Sequence, residues 1–155
     1  MMQPMPYSQE QLQKLNAAAL EAVADELASG QVRKGQGRLH RVTDQGDQWC
    51  CLGQMSDYAC RQGVPVPREL RPEYACRRDC STEYFGVAHV YLPPMIAGYF
   101  GFPYPNPPLP RADGTWRKAA DWNDDGPDGK GPEPDFTTIA AALRRLAQLA
   151  REAQS

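Results

Sequence analysis

The stretch "DQWCCLGQMSDYACRQG", Asp47 to Gly63, sets Cys50 and Cys51 side by side where an apolar run turns into a helical pattern. A thiol at a helix start can have its thiolate stabilised by the helix dipole and by free backbone amides, which is how a cysteine nucleophile is activated. A base is then required. The chain has two histidines, His40 and His89, and Asn123 could orient either imidazole. A hydrolase or transferase built from Cys51, His89 (or His40) and Asn123 is therefore the catalytic alternative. Trp49 and Leu52 flank the pair, however, and free cysteine is among the most buried residue types, so packing in a core is the stronger reading.

Metal chemistry has two weaker footholds. Cys60, Cys76 and Cys80 could take zinc with Cys51 or a histidine as fourth ligand, but "CRRDC" is one short ligand pair where structural zinc usually shows two. "DWNDDG" matches the opening half of a calcium loop, with Asp121, Asn123 and Asp125 at alternate positions before Gly126. The second half fails: Pro132 stands where a bidentate glutamate is needed, and Glu133 is one place late. Asn and Asp also organise turns through side-chain-to-backbone bonds, so a polar turn is expected there and no cofactor.

"RKGQGR", Arg33 to Arg38, carries the clearest binding chemistry. Gly35 and Gly37 let successive amides converge on an anion, while Arg33, Lys34 and Arg38 add charge-assisted donors suited to phosphate oxygens. Walker spacing is absent, and a basic hairpin edge that resists strand pairing is the plain alternative. The expected ligand-binding set is this segment together with Cys51, Asn123 and Asp124, if the thiol and the polar turn share one pocket. Tyr91, Tyr99, Phe100, Phe102, Tyr104, Trp116 and Trp122 offer stacking surfaces, most of them expected in the core.

These residues need elements to hold them. Ser8 with Gln11 fits a capping box, and Leu12, Leu15, Ala19, Val23 and Leu27 recur at helical spacing up to Gly30, predicting one amphipathic helix. "RLHRV" alternates as a short strand does, and "TDQGDQ" reads as a hairpin turn. A second helix runs from about Leu52 to Gly63. The arginine- and proline-rich stretch from Val64 to Thr82 is read as irregular, followed by a strand in "EYFGVAHVYL". Pro94 opens a short helix that Gly101 ends. "FPYPNPPLPRADG" is expected as an extended surface loop, and Asp135 as the cap of a last amphipathic helix through Phe136, Ile139, Leu143, Leu146 and Ala150.

The 155 residues suit one domain with a real core: a disordered N-terminus over 1–7, then a single domain over 8–152. The expected fold class is α+β, a small antiparallel sheet packed with about four helices, and 15 prolines with 13 glycines make it loop-rich. No apolar run approaches the roughly 20 residues that span a bilayer, and "MMQPMPYSQEQLQ" has neither the basic start nor the apolar core of a secretory signal. A cytoplasmic protein with reduced thiols and no membrane partner is expected. The net charge of −2 gives no global preference for nucleic acid; four bases without an acid lie between Gln31 and Arg41, and four aspartates without a base between Asp121 and Asp128, so electrostatic partners are met locally.

The order "ELASG", "QGRL", "WCCLG", "YLPPMIAGYFGF", "NP", "DWNDDG" and "DFTTIAAAL" resembles a widespread family of small proteins from tailed phages and prophages, over about Leu20 to Leu146. Gly37, Cys50, Cys51, Leu52, Gly53, Leu92, Pro93, Asn123, Asp124, Gly126, Phe136, Ile139 and Ala140 carry that likeness; neither histidine does, and Ser56 stands where the pattern has another cysteine. The resemblance implies a phage-encoded accessory protein for host takeover or anti-defence, working in the host cytoplasm. It would act without catalysis, by sequestering a phosphorylated or nucleotide signal or by masking a host protein. The cysteine enzyme is one alternative. A regulatory interaction module using the stretch from Arg61 to Arg78, which could also be a homo-oligomer, is the other.

Overall fold

The structure, a computed structural model, describes residues 3–32, 34, 40–43, 46–67 and 91–155. Ser8 accepts the amide of Gln11 at 3.0 Å while the Gln11 side chain accepts the amide of Ser8 at 2.9 Å, so the capping box opens α1, Gln9–Lys14. The one long helix expected up to Gly30 breaks here. Leu15 turns extended, and Asn16 begins α2, Ala17–Ala28, by accepting the amide of Ala19 at 3.1 Å. The cause is tertiary: the amide of Asn16 donates to the carbonyl of Phe100 and its side chain to that of Tyr99, so the chain docks before it continues.

A hairpin forms from β1, His40–Thr43, where alternation predicts a strand, and β2, Gly46–Trp49, which takes up half of the stretch expected as its turn; the two pair antiparallel with His40 opposite Trp49. It feeds α3, Cys51–Arg61. The expected strand in "EYFGVAHVYL" lies outside the described residues apart from its last two positions. Pro94 opens α4, Pro94–Phe100, and Gly101 closes it in the left-handed region at φ 77°. No other residue fits at that position, because a Cβ on Gly101 would stand 2.0 Å from the carbonyl oxygen of Lys14.

The proline-rich loop is not wholly a surface wrap. Its middle forms β3, Pro108–Pro110, antiparallel to β4, Trp116–Lys118, with Leu109 fully buried. Arg111 donates to Thr115 and Ala119 to Pro107, so the hydrogen-bonded pairs fall on either side of Pro108 and Pro110. Neither proline is asked for an N–H, which is how two prolines fit one strand. α5, Ala119–Asp125, follows directly, and α6, Thr137–Gln154, completes the chain, with Asp135 accepting the amide of Thr137 at 3.1 Å.

The class is α+β. Six helices and two short antiparallel pairs are seen among the described residues, because the first helix splits and "DWNDDG" is helical rather than a polar turn. α6 packs along α2 in antiparallel fashion, Arg151 gripping Glu21 and Arg144 reaching Asp25. Gln154 satisfies the end of α1 by donating to the carbonyls of Gln13 and Leu15. One core cluster runs from Tyr7 to Ala153; Tyr7 is buried and its hydroxyl donates to the carbonyl of Pro108 at 2.8 Å. Among the described residues no helix is long and apolar enough to cross a membrane.

Candidate functional site

The strand-to-helix junction positions the two cysteines in different ways. Cys50 is extended, at φ −85° and ψ 168°, and its Sγ accepts the amide of Gly53 at 3.3 Å, so sulfur does the capping that a serine or aspartate oxygen usually does. Cys51 is the first helical residue. Its backbone N–H donates to Oδ1 of Asn123 at 3.0 Å and its thiol points at the carbonyl of Ala119 at 3.6 Å. Ala119 and Asn123 are four apart on α5 and therefore lie on one face of it. α5 thus closes over the start of α3 and takes up the first amide of that helix, the one of Cys51.

Burial decides the electrostatics. Cys51 and Asn123 are 0% exposed and Cys50 5%. Desolvation pushes the Cys50 thiol up to about 12 and Cys51 well above the ordinary thiol range, although the helix amides and the nearby Lys34 charge pull the other way. Burial thus favours the neutral thiol at both positions, the apolar surroundings outweighing the dipole. Oδ1 of Asn123 accepts the backbone amide of Cys51. His40 pairs through β1 with Trp49, and His89 lies outside the described residues.

Lys34 is drawn to the same place. Its ammonium donates to the backbone carbonyl of Asn123, in the last turn of α5, at 2.5 Å. Burial lowers its pKa, while the neighbouring Cys51, Asp124 and Glu133 favour its charged form. Lysine at a helix C-terminus complements the partial negative charge of the last carbonyls. Of the expected ligand-binding set, the fold therefore assembles Lys34, Cys51, Asn123 and Asp124; Arg33, Gly35, Gly37 and Arg38 lie outside the described residues.

The metal alternatives fare differently. Asp121, Asn123 and Asp125 belong to α5, where positions two apart point about 200° from each other around the axis. Their oxygens do not converge as in a calcium loop, and Asn123 is engaged with Cys51. Cys51 and Cys60 stand nine residues apart on α3, about 13 Å along the helix, too far to share a zinc ion. Cys76 and Cys80 lie outside the described residues. At the start of the arginine-rich stretch, Arg61 is tied to Asp57 at 2.8 Å and to Glu26.

Of the seven aromatic residues considered for stacking, Phe100, Phe102 and Trp122 are core, while Tyr91, Tyr99, Tyr104 and Trp116 are half-buried against it, so fewer than the expected majority are buried. One polar relay had no warning beyond the need of a buried indole N–H for an acceptor. Nε1 of Trp122 donates to Thr138 at 2.9 Å, and the Thr138 hydroxyl donates to Glu133 at 2.8 Å. The relay ties the loop after Gly126, in which Glu133 sits, to α5 and α6. Comparison with known protein families, with curated proteins and with solved structures found no match to this chain.

Proposed function

We propose that this chain is a non-catalytic binding protein, encoded by a tailed phage or prophage as an accessory factor. Its role would be to capture a phosphorylated small molecule, such as a nucleotide signal, through the basic glycine-rich segment 33–38. The observation that carries this reading is the bond from Lys34 to the Asn123 carbonyl. It fastens that segment, near its start, to the rigid junction of α3 and α5. Lys34 is then the anchor, set beside Asp124 and Glu133, and Arg33 and Arg38 are the groups assigned to the phosphate oxygens. The closed, neutral thiols support binding over catalysis, since the same junction offers no nucleophile to a substrate.

The test is native mass spectrometry of protein taken from phage-infected or signal-producing cells, followed by calorimetric titration with a cyclic dinucleotide and a nucleoside diphosphate. A retained phosphorylated compound, lost in the Arg33→Glu, Arg38→Glu double variant with the melting temperature unchanged, is the expected result. Equal capture by the double variant would remove this reading.

A further inference from the structure

A cleft built from residues outside that junction lies between the N-terminal segment, the β3–β4 hairpin and α6. Its volume is about 490 Å³, within the range of small-molecule sites. The walls are apolar: Trp116 and Leu149 are half-buried, and Met5 is the one large hydrophobic side chain exposed among the described residues, at 49%. Trp116 is held in place. Its ring meets that of Tyr7 at 5.7 Å between centroids, and its amide donates to the side chain of Gln3 at 2.9 Å.

Two guanidinium groups enter this cleft and no carboxylate does, among the described residues that line it. Arg145 donates Nε to the carbonyl of Pro110 at 3.1 Å, and Arg111 has its Nε buried with no acceptor. Neither forms an ion pair with a described carboxylate. Burial lowers the pKa of Arg145 with no opposing charge to restore it. An adjoining cavity of about 300 Å³ shares both arginines but is also lined by Asp113 and Asp128. Asp113, held low in pKa by its bonds to Thr115 and by the nearby charge of Arg111, commits its Oδ1 to the amide and hydroxyl of Thr115. The larger cavity, with no carboxylate among the described residues that line it, is the more positive of the two. Paired arginines without a carboxylate are the donors that planar or tetrahedral oxyanions fit, and an indole wall suits a flat apolar body.

We propose that this cleft binds a small organic anion, its carboxylate or phosphate held between Arg111 and Arg145 and its apolar, aromatic body laid against Trp116 and Leu149. None of the residues lining the cleft belongs to segment 33–38, and the proposal does not depend on the function assigned to that segment. The three probes are 1-naphthyl phosphate, 1-naphthaleneacetate and the uncharged 1-naphthalenemethanol, titrated calorimetrically into the full chain. Both anions bind saturably, one per chain, at least tenfold more tightly than the alcohol. Arg145→Met and Arg111→Met each weaken the anions at least tenfold and leave the alcohol unchanged, whereas Trp116→Leu weakens all three. Arg144→Met, which removes a charge one residue away on the exposed side of α6, alters none. Circular dichroism melts establish that each variant is folded. Absence of saturable binding at millimolar probe, equal affinity for the alcohol, or anion binding indifferent to both cleft arginines would overturn the proposal.

Discussion

Asn123 Oδ1 accepts the backbone N–H of Cys51 at 3.0 Å, joining positions 72 residues apart at the buried start of α3. A helix leaves its first amides without partners, and one that is buried must find an acceptor from elsewhere in the chain. Here Cys50 serves Gly53 and Asn123 serves Cys51, so side chains take both of these amides.

Asn123→Ala deletes that acceptor and strands a buried donor. The expected cost is about 1–3 kcal/mol, the usual penalty for such a group. Urea denaturation measures it, as a lower midpoint at an unchanged slope. A change under roughly 0.5 kcal/mol, the size of an ordinary surface substitution, would show that the bond does not hold α5 to α3.

Alkaline pH should weaken the fold. The folded pKa of Cys50 is raised from 9.0 to about 12 and that of Cys51 is also raised, so above pH 9 the unfolded chain releases protons that the folded chain keeps. Stability is then fully present below the unfolded value and falls as pH rises, by about 1.4 kcal/mol per pH unit for each thiol. Tyr7, raised from 10.0 by burial, steepens the loss, while Lys34, lowered from 10.5, opposes it. Urea midpoints between pH 7 and pH 10.5 check this, and Cys51→Ala flattens the slope even though it lowers the starting stability.

Two glycines with similar backbone angles should respond differently to alanine. Gly114 has φ +87° and open space where an alanine methyl would stand, so Gly114→Ala carries only the left-handed backbone penalty of about 1–2 kcal/mol. Gly101 has φ +77° and a carbonyl oxygen 2.0 Å from where that methyl would stand, so Gly101→Ala also forces α1 and α4 apart and costs well beyond that figure. Thermal melts compare the two; equal shifts would mean that α4 does not dock on the end of α1 as described.

What is legible in the sequence is local. The Ser8 and Gln11 box, Pro94 and Gly101 around α4, and the alternation of β1 each depend on residues a few positions apart, and each lies where those residues predict it. The break at Asn16 is not legible because Tyr99 and Phe100 impose it from 83 and 84 positions away. "DWNDDG" misleads because oxygen-bearing side chains at alternate positions suggest a loop, yet Trp122 and Asn123 are buried against α6 and α3 and the run ends as a helix at Gly126. The pairing of Lys34 with α5, and of Arg111 with Arg145, rests on tertiary placement that no short pattern encodes.

That Cys51 is part of the architecture and not a nucleophile is tested most directly by labelling with iodoacetamide at pH 7.5, followed by peptide mass mapping. The native protein should leave Cys50 and Cys51 unmodified, and both should react only when urea unfolds the chain. Rapid, stoichiometric alkylation of Cys51 in the native protein would contradict the account.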